Sequence, residues 1–249
     1  MHDRRARALF LIAQVHVEAG RIAPALDIAR SLEDATTRLQ VLALAGKAQD
    51  DPGQIAEAIS IARNLEDPNQ RSLALSFVGR TQADPELVHE ALATAREITD
   101  TFRAGNAMTE IAGALAETGQ TGEALALARS IDGEFARNQA LSAVVRALAK
   151  AEDVASAREV VRSIEPGSSR DYVLVDIVRA QVDAGEIDGA LETARSIHHA
   201  NFRVVALAKV FKAHGDPALM VETVEVAQDI EDAGHRAGAL ARLARILLE

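Results

Sequence analysis

Six cations recur at one register of this chain: Lys47, Arg80, Arg146, Arg179, Lys212 and Arg245, with Gln14 and Gly113 in the other two copies. Guanidinium and ammonium groups at a fixed spacing can hold carboxylates through charge-assisted hydrogen bonds. Four residues after each comes Glu18, Asp51, Asp84, Glu117, Lys150, Asp183, Asp216 or Glu249. Residues four apart are neighbours on a helix. Lys47–Asp51, Arg80–Asp84, Arg179–Asp183 and Lys212–Asp216 are therefore expected to neutralise one another on a solvated face, each pair worth about 0.3 kcal/mol. One copy breaks the pattern, because Arg146 is followed by Lys150 and no carboxylate stands opposite. Arg146, Lys150 and Arg179 are the residues expected to hold an anionic partner, and Lys47, Arg80 and Lys212 complete the cationic set.

A second arginine column runs through Arg30, Arg63, Arg96, Arg129, Arg162 and Arg195. It flanks an apolar stripe, so its expected role is architectural. The stem covers a seam while the guanidinium meets a carboxylate or the last carbonyls of its helix. His198, His199 and His214 do not have the spacing of metal ligands, and adjacent side chains on a helix end diverge by about 100°. A surface loop pair is expected there, and no metal. Phosphate-binding glycine loops, nucleophile elbows and zinc-protease strings do not occur, and the carboxylates are spread evenly. No catalytic residue and no cofactor is expected.

The elements that carry these columns repeat. An octet of the type ALETARSI begins at Ala25, Ala58, Ala91, Ala124, Ala157, Ala190 and Thr223, in steps of 33 residues. A second marker, Arg with a small-apolar pair behind it, occurs at Arg5, Arg38, Arg71, Arg103, Arg137, Arg170, Arg203 and Arg236, one residue early at Arg103. A fixed period of this length marks a stack of one supersecondary unit. Behind each marker lies an amphipathic pattern, such as Ala8, Leu9, Ile12, Ala13 and His16, which predicts a helix A of roughly 14 residues. The octet lies in a helix B of about 12 residues. Asp51-Pro52, Asp84-Pro85 and Asp216-Pro217 predict helix starts, since Asp caps free amides and Pro at the first position lacks an N–H that is unpaired anyway. Helix B is expected to end at Asp34, Asp67, Asp100 and their counterparts.

Small residues recur twelve apart at Ala13/Ala25, Gly46/Ala58, Gly79/Ala91 and Ala112/Ala124, with Val145/Ala157 and Val178/Ala190 departing. This spacing resembles the tetratricopeptide (TPR) repeat family, although the period is one residue short of that family's usual 34 and its bulky aromatic positions hold Leu, His, Ala or Val. The resemblance covers the whole chain. It implies that the cationic column lines a concave face and that the protein binds other proteins there.

The expected fold is all-α: one right-handed solenoid of antiparallel helix pairs over residues 1–249, about seven and a half repeats, closed by a capping helix at 234–249. That last helix is apolar, ending Ile246-Leu247-Leu248, and could instead stack on another copy. The net charge of −10 disfavours nucleic acid. Cysteine is absent, which is compatible with a reducing compartment, and the expected location is cytoplasmic. The basic N-terminus before an apolar run imitates a signal peptide, but Gln14 and His16 interrupt the run, which falls in register with helix A. No stretch approaches a membrane span. The expected function is a non-enzymatic scaffold binding a protein or peptide segment, acidic in character. The alternative is a structural, self-assembling repeat protein.

Overall fold

A computed structural model describes residues 2–248. By internal packing the chain divides into two compact units, Met1–Asp132 and Gly133–Glu249. The first contains α1 (His2–Glu18), α2 (Ile22–Ser31), α3 (Ala35–Gln49), α4 (Pro52–Arg63), α5 (Pro68–Gln82), α6 (Pro85–Ala95), α7 (Thr101–Glu117) and α8 (Thr121–Ser130). The second contains α9 (Glu134–Lys150), α10 (Val154–Val161), α11 (Ser168–Asp183), α12 (Ile187–Arg195), α13 (Ala200–His214), α14 (Pro217–Gln228) and α15 (Ala233–Leu248). No strand occurs among the described residues.

Within each unit every odd-numbered helix packs on the even-numbered one that follows and on the next odd-numbered one. This is a stack of helical repeats, the odd helices being the A helices and the even ones the B helices. The octets explain why. Their first and fifth residues lie on one face of helix B, and Ala25, Ala58, Ala91, Ala124, Ala157 and Ala190 are all 0% exposed. Ala62, Ala95, Ala128, Ala194 and Ala227, four residues on in their octets, are equally buried. Small side chains on that face let two backbones approach closely.

The closest approaches fall on glycine. A Cβ on Gly46 would lie 2.8 Å from Ile55 Cγ1, and one on Gly79 would lie 2.7 Å from Val88 Cγ2. Where Val145 and Val178 replace the small residue, both are still fully buried against their partner repeats.

Helix boundaries differ from the sequence expectation in one consistent way. A helices run 15 to 17 residues and B helices only 8 to 12. The aspartates expected to end helix B instead start helix A. Asp34 accepts from the Thr37 amide, Asp67 from those of Asn69 and Gln70, and Asp100 from that of Arg103. A carboxylate beside free helix N-terminal amides satisfies donors that nothing else reaches, and this outweighs continuing the preceding helix. The three Asp-Pro helix starts hold as expected.

The marker arginines close the other end of helix B. Arg38, Arg71 and Arg236 each reach back six residues to a carbonyl of the preceding helix end: Leu32, Leu65 and Ile230. Arg103, one residue early, pairs with Asp67 at 2.6 Å instead.

The terminal helices are only half covered. Ile12 is 49% exposed, although the same register is fully buried at Ala45, Val78 and Ile111. Among the described residues no helix packs on that side of α1, so the apolar face expected to be buried there is partly open. On α15, Ala239 and Leu243 pack inward against Val204, Ala208 and Ala227, while Leu240, Leu247 and Leu248 face outward. Glu249 lies outside the described residues.

Candidate functional site

The exposed carboxylate–cation ladder expected from the sequence does not form. Asp51 accepts the amides of Gly53 and Gln54, Asp84 those of Glu86 and Leu87, and Asp216 that of Ala218. These aspartates are N-caps of α4, α6 and α14. A fixed backbone amide is a better partner than a mobile guanidinium or ammonium, because no side-chain entropy is lost on the donor side. Lys47 and Lys212 consequently form no ion pair among the described residues and stand exposed on the last turns of α3 and α13. Arg80 lies over the Phe77 ring, 5.4 Å from its centroid. Gln14 does make the i to i+4 contact, donating to Glu18 at 2.9 Å.

In the second unit, α9 and α11 pack side by side and bring the three anion-binding candidates together. Arg146, Lys150 and Arg179 line one cavity of about 410 Å³ with Glu152, Asp176 and Asp183. Arg146 and Lys150 form no ion pair among the described residues. Arg179 pairs with Asp176 at 3.3 Å, three residues back, and not with Asp183 as expected. Asp176 is the buried floor of the group, its side chain 14% exposed, with Oδ2 unpartnered. Burial pushes its carboxyl above the ordinary range, opposed by the charges of Arg179, Arg146 and Lys209. The arrangement offers two unpaired cations on one wall, and Glu152 and Asp183 can accept N–H donors. That suits a segment carrying carboxylates on a peptide backbone better than a bare anion. Lys47, Arg80 and Lys212 are not in this lining.

The octet arginines behave as expected where a carboxylate is in reach. Arg63 grips Glu90 through Nε and Nη2, at 2.9 and 2.7 Å, and Arg195 grips Glu222 at 3.0 and 2.7 Å. Both bridges join consecutive B helices. These bonds hold Arg63 and Arg195 firmly protonated and draw the Glu222 carboxyl below its usual range. Arg30 and Arg162 turn to Asp27 and Glu159 on their own helices.

The histidine pair has a partner that no sequence pattern announced. Asp171 on α11 is 3% exposed and accepts the backbone amides of His198 and His199 and the His199 ring Nδ1, the last at 2.6 Å. His199 precedes α13, so a carboxylate from the neighbouring A helix pins the loop. The 28-residue separation hides this contact from any local pattern. No group of three potential metal ligands occurs among the described residues.

Stacked helix pairs around cation-lined grooves define a helical-repeat protein, and the fold supports no finer assignment. No family model matches the chain, and no curated protein matches it. Among solved structures it is similar to Ton1535 from Thermococcus onnurineus NA1, at 16% identity and a TM-score of 0.45, covering 95% of this chain and 99% of that one.

Proposed function

We propose that the protein is a non-enzymatic scaffold, TPR-like in its repeat, that binds an acidic protein segment through Arg146, Lys150 and Arg179. The observation that carries this reading is the shared cavity in which Arg146 and Lys150 form no ion pair among the described residues. Lys212, exposed on α13 of the same unit, offers a further cation for a longer partner, and Lys47 and Arg80 belong to the first unit. A cytoplasmic setting belongs to the same proposal. No helix of the described residues is long and apolar enough to cross a membrane.

The test is binding of a fluorescently labelled peptide rich in Asp and Glu. The wild type should bind it with an affinity that falls as salt rises. Arg146→Glu with Lys150→Glu should weaken binding at least tenfold while leaving the melting temperature in place. Equal affinity and equal salt dependence in the variant would overturn the reading.

A second reading, self-assembly, rests on α15, whose Leu240, Leu247 and Leu248 face outward at 38%, 38% and 88% exposure. Light scattering distinguishes the two. A mass that rises with concentration, and falls to the monomer in Leu247→Glu with Leu248→Glu, favours assembly. A concentration-independent monomer favours the scaffold alone.

A further inference from the structure

The seams between consecutive B helices repeat, and the one between α10 and α12 carries an additional arginine. At the first seam a cavity of about 330 Å³ is lined by Leu26, Arg30, Arg38 and Glu57, among others. Four 33-residue steps later the same register lines a cavity of about 130 Å³ in the second unit, now with Arg158, Arg162 and Arg170. Charge changes at three positions separate these seams, one of them Glu192 where the first seam has Ser60. The second octet position is apolar at Leu26, Ile59, Leu92, Leu125, Leu191 and Val224, but it is Arg158 in the fifth octet. The carboxylate register holds Glu57, Glu90, Glu123 and Glu222, but Ser156 in the fifth copy and Gly189 in the sixth.

The glycine has a local cause. A Cβ there would sit 2.7 Å from Nε2 of Gln181, and that side chain is 1% exposed. A side chain at 189 would have to displace the buried end of Gln181, and Arg162, without the acceptor that Arg63 finds in Glu90 and Arg195 in Glu222, turns to Glu159 on its own helix.

The third guanidinium is also without its usual partner. Arg38, Arg71 and Arg236 bond the preceding helix end, whereas Arg170, half-buried at the equivalent place, makes no hydrogen bond or ion pair among the described residues. One carboxylate, Glu192, lines the cavity and approaches Arg158 no nearer than 3.6 Å. The hydroxyls of Thr193 and Ser196 complete a polar wall, each already donating to a backbone carbonyl of α12 and free to accept a further bond. Three guanidinium groups line one cavity where Arg63 and Arg195 elsewhere close the seam on a carboxylate.

We infer that this seam is a binding site for a phosphoryl group, which takes the place of the missing glutamate between Arg158, Arg162 and Arg170. Planar guanidinium groups match phosphate oxygens two at a time, and the half-burial of Arg158 and Arg170 strengthens their bonds. The small cavity admits one phosphoryl group. A polyanion is disfavoured by the net charge of −10.

The probe is inorganic phosphate titrated into the full chain at constant ionic strength, with chloride as the reference anion. Arginine Nε–Hε resonances and the melting temperature are followed together. Phosphate should shift the Arg158, Arg162 and Arg170 signals and raise the melting temperature above that in chloride. Arg158→Leu restores the residue type of the other octets, so it should fold and bind phosphate at least tenfold more weakly. Arg170→Gln should do the same, and Arg146→Glu with Lys150→Glu should leave the phosphate response unchanged. A phosphoserine peptide that binds more tightly than phosphate, and than its unphosphorylated twin, identifies a group carried by a partner. Binding of inorganic phosphate alone identifies a free anion. The inference is overturned if neither probe moves the three arginine signals, or if both arginine variants bind as the wild type does.

Discussion

Gly79 on α5 and Val88 on α6 meet so closely that a single methyl on the glycine would lie 2.7 Å from Val88 Cγ2 and 3.0 Å from the Val88 amide nitrogen. Backbone as well as side chain blocks the way, so the helices cannot make room by a rotamer change alone. Gly79→Ala should therefore destabilise the first unit by about 1–3 kcal/mol, although alanine is the better helix former. Urea unfolding would read this as a lowered midpoint. A midpoint equal to or above that of the wild type would contradict the close crossing.

Ala91, on the same α6, is 0% exposed. A carboxylate there would have to be buried without a partner. Ala91→Glu should cost about 3–5 kcal/mol or unfold the repeat outright. Ala124→Glu, at the matching place on α8 and equally buried, should behave alike. A melting curve unmoved by either change would refute the packing scheme.

Ala83 ends α5 in the left-handed conformation at φ 55°, as Asp50 ends α3 at φ 53°. An alanine pays about 1 kcal/mol for that conformation, only partly offset by the extra freedom glycine gives the unfolded chain. Ala83→Gly should raise stability by about 0.5 kcal/mol. The measurement is the unfolding midpoint of the variant, and a fall would show that the strain is absent.

The Arg195–Glu222 bridge makes a pH prediction. Its hydrogen bonds lower the folded-state pKa of Glu222, so the bridge stabilises at pH above the ordinary glutamate range. That contribution is lost as pH falls through the lowered folded value. Glu222→Gln should thus be less stable than the wild type at neutral pH, by about 0.2–1 kcal/mol, with the gap closing in acid and shrinking in high salt. Stability curves of the two proteins across pH check both the size and the direction.

The brick of this fold was legible in the residues themselves. Helix periodicity, the octet and the tiny side chains at the crossing are local or strictly periodic features. A 33-residue repeat leaves antiparallel packing as the way to bury such stripes. Arg146 and Lys150 were legible for the same reason, because they lie one turn apart on one helix. The caps at Asp51, Asp84 and Asp216 were legible too, and there the rigid amides won over a cation four residues back. Tertiary structure alone decided the long-range charge partners. Asp171 reached His199 across 28 residues. Arg158, Arg162 and Arg170 converged only because α10, α11 and α12 pack together. Periodicity fixes which residues share a face. Which donor takes which acceptor depends on distances between helices, and those are set by packing.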